Sequence, residues 1–197
     1  DSAACWSSGG TNPQTFGRFY RADVLRRLTI DPVNNVRLAN GPHTVKLSDT
    51  GSNGNGDVPL TNGASLVVVY RVLVAGNPTA VPYRSVVFYD GGFTIPKDSA
   101  GMTLTTAGFF QASAAANARM TQIVSNGQPG FLATLTANGT TLDTDPYIGA
   151  LGSRWDNPTY SFNLAENAAS YSTTVTPNNN QTCVVIGAQV TSLNVKD

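Results

Sequence analysis

Nine runs of five to nine residues, rich in β-branched and aromatic side chains, recur along this chain, and clusters of Gly, Asn, Asp and Pro separate them. They fall near 43–48, 65–71, 84–90, 101–106, 119–125, 131–136, 159–163, 171–175 and 183–191. No fixed-period repeat appears among them. Short strands with regular turn punctuation predict an all-β sandwich rather than βαβ units. The run "SLVVVYR" at 65–71 is apolar at successive positions, which predicts a central strand covered on both faces. By contrast "HTVKLS" at 43–48 alternates, which predicts a strand with one wet face.

Two stretches have helical character. In 21–30, Val24, Leu25 and Leu28 fall on one helical face and Pro32 ends the segment. The Ala-rich stretch 109–120 is the second. The predicted fold is therefore one all-β, jelly-roll-like antiparallel sandwich spanning 1–197, with one or two short helices. No composition shift interrupts it.

Charged residues make up 12% of the chain, about half the usual share for a soluble domain. Twelve basic residues balance twelve acidic ones, so neither nucleic acid nor an anionic membrane is an expected partner. No apolar run approaches the roughly 18 residues needed for a membrane span. The start "DSAACWSSGG" has neither the basic opening nor the apolar stretch of a secretion signal. The expectation is a mature secreted form or an excised segment. The two cysteines, Cys5 and Cys183, are too far apart for a metal knuckle. In an oxidising compartment they would form one disulfide tying residues 1–17 to a late strand. Closing so long a loop is worth about 5 kcal/mol in the chain-entropy picture.

Three stretches invite a functional reading. Asp90-Gly91-Gly92 places a carboxylate beside two permissive glycines, but Asp-Gly is first of all a turn signal after a strand. In "SDTGSNGNGDVP", Asp49, Asn53, Asn55 and Asp57 offer oxygens at alternate positions, as in the first half of a calcium loop. The late bidentate Glu of such loops is missing, so a solvated hairpin loop is the competing reading. Calcium is the only cofactor these residues suggest, and none is required. In 142–162, Asp143, Asp145, Asp156 and Asn157 lie among Tyr147, Trp155 and Tyr160. Carboxylates beside aromatic rings suit a carbohydrate site, although Asp-Pro and Asn-Pro also simply shape loops. The binding candidates are Trp155, Asp156, Tyr147, Tyr160 and Asp145. His43 is the only histidine, and no Gly-x-Ser-x-Gly elbow accompanies it. No catalytic residue is assigned, and the expectation is a protein that is not an enzyme.

The blocks "YRADVLRRL", "NGPHTVKLSD", "DVPLTNGASLVVVYR" and "YRSVVFYDGGF", followed by "SRWDNPTYSF" and "CVVIGAQVTSLNVKD", resemble a β-sandwich domain of large secreted bacterial cell-surface proteins. The resemblance covers roughly 18–197, and "GASLVVVYR…RSVVFYDG" is its strongest element. More loosely, the short helix and the "NG.HTV.L" pattern are similar to galactose-binding-type jelly rolls. What this implies is a jelly-roll-like module exposed at a cell surface, with no catalytic residue to carry over. The function expected is adhesion or structural support through glycans or neighbouring surface proteins. A carbohydrate-binding module and a self-assembling subunit of an extracellular fibre or coat are the alternatives.

Overall fold

A computed structural model of the chain describes residues 4–6, 15–16, 18–38, 40–48, 61–70, 84–96, 99–109, 116–127, 129–130, 132–149, 151, 154–178 and 183–195, with backbone alone at 4–6, 15–16 and 116. Its strands are β1 (Ala4–Trp6), β2 (Thr15–Phe16), β3 (Arg84–Ile95), β4 (Met102–Ala107), β5 (Ala116–Ser125), β6 (Ala133–Ala137), β7 (Thr140–Asp143), β8 (Trp155–Asp156), β9 (Thr159–Leu164), β10 (Ser170–Pro177) and β11 (Val184–Asn194). Among the described strands, β1 and β2 pair only with each other. The rest form two antiparallel sheets, one in the order β4-β10-β6-β7 and one in the order β3-β11-β5, with β8 and β9 both pairing β5.

Successive strands change sheets at almost every connection, from β3 through β6 and again from β7 to β11. Strands far apart in sequence, β3 with β11 and β4 with β10, thereby become neighbours. That is the double Greek key of a jelly roll. No helix among the described residues is long and apolar enough to cross a membrane.

Alternation builds the core. Along β10, Tyr171, Thr173 and Val175 point inward, and along β6, Ala133, Leu135 and Ala137 do. They meet Met120, Val124, Val184 and Leu193 from the facing sheet. The β6–β7 hairpin turns on Asn138 and Gly139, both at positive φ (46° and 78°), as a two-residue hairpin loop requires. β8 and β9 are one edge strand broken at Pro158, whose carbonyl accepts from Gln122 N at 3.1 Å. An edge tolerates proline because no inward N–H is missed there.

Asp90-Gly91-Gly92 is not the turn that the sequence suggests, because β3 runs through it to Ile95. Opposite, Ile186 pairs with Phe93 and Ala188 with Asp90, so Gly91 and Gly92 face Gly187 alone. On the other side Ile186 and Ala188 pair with the consecutive Val124 and Ile123, leaving Gly187 without a partner. This bulge reverses the alternation of β11. Val184 and Ile186 point into the core before it, and Leu193 does after it. That is why Val184 to Gln189 are six consecutive buried residues.

Four further expectations fail in whole or in part. Residues 43–48 form no strand and are exposed. Residues 65–70 also form none, and Val69 and Tyr70 are 68% and 77% exposed rather than covered. Instead of pairing with an edge, the run lies beside the five-stranded sheet, where Ser65 bonds Trp155 and Asn157. The predicted helix at 21–30 shrinks to a 3-10 turn, Leu25–Arg27, with no buried residue. Three apolar side chains give it too little face to bury, and most helical stability comes from that burial. The helix expected at 109–120 is replaced at its end by β5, which starts at Ala116; 110–115 lie outside the described residues.

Candidate functional site: an acidic edge cleft

The loop from β7 to β8 and the broken edge strand enclose a cleft of about 360 Å³. Its lining comprises Asp143, Asp145, Asp156 and Asn157, the Tyr160 ring, Thr159, and the apolar Pro146, Ile148, Leu151 and Pro158. Among the described residues, no Lys, Arg or His lines it. The loop holds its shape by using up two of the carboxylates. Asp143 accepts from Asp145 N at 3.0 Å and from the Tyr160 hydroxyl at 2.9 Å. Asp156, 4% exposed, accepts from Gly149 N at 3.1 Å and Asn157 N at 2.8 Å. Asp145 differs: its Oδ1 is buried and has no hydrogen-bond partner among the described residues.

The five binding candidates from the sequence divide into three environments. Asp145, Asp156 and Tyr160 line the cleft. Tyr147 does not, being 1% exposed in the core with its hydroxyl on Gln122 Oε1 at 2.8 Å. Trp155, 9% exposed, faces the outer side of the five-stranded sheet. Phe19 stacks on one side of it, with ring centroids 6.3 Å apart. Gly63 lies so close on another that a Cβ there would overlap the indole. Its Nε1 donates to Ser65 Oγ at 3.0 Å, and Ser65 in turn donates to Asn157 Oδ1 at 2.9 Å. The sequence pattern did not single out the 61–65 cover, because only the fold brings it to the indole.

The calcium candidates Asp49, Asn53, Asn55 and Asp57 lie outside the described residues. No group of three His, Cys, Asp or Glu able to hold a metal occurs among the described residues. Cys183 is 2% exposed and disulfide-bonded; the side chain of Cys5 lies outside the described residues.

Burial pushes the Tyr160 phenol far above its ordinary value, and its hydrogen bond to Asp143 pushes it further. Burial is also the main cause for Tyr147, followed by the nearby Tyr160 and Asp156. Burial raises Tyr171 too, against hydrogen bonds that lower it. A raised phenol favours the neutral form in the fold. Its stabilisation is complete below the ordinary pKa of 10.0 and is lost as pH climbs beyond it. In an alkaline titration, tyrosinate absorbance from these three rings should therefore appear only as the circular dichroism of the fold collapses. Titration of these three rings with the fold intact would contradict their burial.

Fold and cleft together define a jelly-roll sandwich with an acidic depression on one sheet edge. No family model matches the chain, and no curated protein does. Among solved structures, dimeric latent PorU from Porphyromonas gingivalis is 13% identical over 64% of this chain, with a TM-score of 0.44. This chain spans only 14% of that one. The C-terminal CBM6 of LamC, a marine laminarinase from Zobellia galactanivorans, is 9% identical over 54% of this chain and 98% of its own, at 0.34. The C-terminal domain of EclA, a sugar-binding protein, is 11% identical over 74% of this chain and 99% of its own, at 0.38. These values assign no family, and none of these proteins lends its activity to this chain.

Proposed function

We propose that residues 1–197 are a single secreted, non-catalytic module of an extracellular surface, serving adhesion or structural support through the acidic cleft. The observation that carries this reading is Asp145 Oδ1. A buried carboxylate oxygen without a partner costs stability, and a turn of the Asp145 side chain into the cleft, met there by a donor on a ligand, would remove that cost. Such a donor is a hydroxyl or a cationic nitrogen. The apolar Pro146, Ile148, Leu151 and Pro158 beside it would meet the carbon skeleton that carries it. On this reading Cys5 pairs with Cys183, as suits an oxidising compartment, and the chain is a domain of a larger surface protein.

The test compares the wild type with Asp145→Ala, both immobilised, for retention of a glycan array and of the soluble chain itself. Retention of either by the wild type, with at least about a tenfold loss in the variant, supports the cleft as the contact. Glycan retention would make this a carbohydrate-binding module. Equal retention by both proteins, or turnover of a glycan, would sink the reading.

A further inference from the structure

We infer that the cleft of one copy receives the basic arm of a second copy, so that the chain assembles head to tail. This rests on the reading that the cleft is the contact site and names its occupant. The arm is residues 18–38, none of them fully buried. It is nevertheless ordered. Arg37 donates to the carbonyls of Arg26 and Leu28 at 3.0 and 2.8 Å. Asp31 accepts from Val33 N and Asn34 Nδ2 at 2.9 and 2.7 Å, and Ile30 bridges Arg37. An ordered segment without a core of its own presents its apolar side chains for a partner. Among the described residues, fourteen of the nineteen exposed large hydrophobic residues fall between Tyr20 and Tyr70, so most of this exposure belongs to the N-terminal segments.

Charge selects the occupant. The chain has no net charge, yet five of its nine arginines lie between Arg18 and Arg37. Arg21 pairs with Asp90 at 3.2 Å. Arg26 and Arg27 make no ion pair with a described residue, and they sit exposed on the 3-10 turn beside Val24 and Leu25, 38% and 57% exposed. The cleft offers the complement: three carboxylates, with Ile148 and Leu151, 47% and 61% exposed, as apolar neighbours. A guanidinium from Arg26 or Arg27 would meet the Asp145 carboxylate once that side chain turns into the cleft, while Val24 and Leu25 cover Ile148 and Leu151. Arm and cleft are different patches, so the contact is heterologous and propagates into a ring or a filament.

Light scattering of the full chain tests this over a range of concentrations at low and high salt. The wild type should gain mass with concentration and lose it with salt. Arg26→Glu with Arg27→Glu should remain monomeric, and so should Asp145→Arg. Mixing these two variants should restore association, since each supplies the half that the other lacks and the reversed charges attract. Arg26 and Arg27 are exposed and Asp145 is half-buried, and unchanged circular dichroism would establish that both variants fold. A wild type that stays monomeric throughout, or variants that associate like it, would overturn the inference. If that monomer still retained a glycan in an Asp145-dependent way, only the occupant would be wrong and the proposed function would stand.

Discussion

Replacing Gln189 with alanine is expected to cost the sandwich about 3 kcal/mol or more, read as a lower denaturation midpoint at unchanged slope. Gln189 is 1% exposed between the sheets. Its Oε1 accepts from Gln122 Nε2 at 2.9 Å, and its Nε2 donates to Thr106 at 2.8 Å, Thr173 at 3.3 Å and the Tyr171 hydroxyl at 3.4 Å. Gln122 in turn accepts from Tyr147, and Tyr171 shares a hydrogen bond with Thr191. One side chain thus joins β5 and β11 to β4 and β10. Alanine would leave a cavity and deprive several buried groups of a partner, which costs more than the bonds themselves contributed. Gln122→Leu combined with Gln189→Leu should cost less than the sum of the single changes, because both halves of one amide pair leave together. A cost under about 1 kcal/mol for Gln189→Ala would mean that water replaces the amide and that the sheets are joined by apolar packing alone.

The second large effect belongs to Gly187. Its backbone torsion is one that other residues adopt, but a Cβ there would overlap the Phe19 ring. The ring lies over the bare bulge, packs with Cys183 and Val185 on one side and with Trp155 and Ala188 on the other. Arg21, two residues on, sits 5.8 Å above the Phe88 ring and pairs with Asp90. Gly187→Ala should therefore cost about 2 kcal/mol by ejecting the ring, and Phe19→Ala about 2 kcal/mol by emptying the slot. The double variant should cost little more than Phe19→Ala alone, since no ring remains to clash. Such coupling is what touching residues show. Trp155 fluorescence in a Trp6→Phe background would shift to the red in either single variant. Strict additivity, with an unmoved spectrum, would mean that Phe19 does not occupy the slot.

Much of the sandwich was legible in the residues. The runs at 84–90, 101–106, 119–125, 131–136, 159–163, 171–175 and 183–191 became β3, β4, β5, β6, β9, β10 and β11, because β-branched and aromatic runs bounded by turn residues suit a pleated surface. The Asn138-Gly139 signal for β7 was also present, though no strand was predicted after it. The stretch 142–162 was picked out for its carboxylates and rings, and it does line the cleft through Asp143, Asp145, Asp156 and Tyr160.

What composition could not convey is which candidate has somewhere to go. "SLVVVY" has the strand composition of β3 but no place in either sheet, since a strand needs a hydrogen-bonding neighbour as well as a propensity. Asp90-Gly91-Gly92 spells a turn locally and becomes a bulge because β11 pairs alongside it. Tyr147, Trp155 and Tyr160 look alike in the sequence, yet one is in the core, one is covered on the outer face and one lines the cleft. The sequence by itself determined the all-β class and the positions of most strands, because periodicity and turn chemistry act over a few residues. Only the tertiary structure decided the sheet order, the bulge at Gly187 and the one carboxylate oxygen left without a partner, because these depend on contacts between residues as far apart as Phe19 and Gly187.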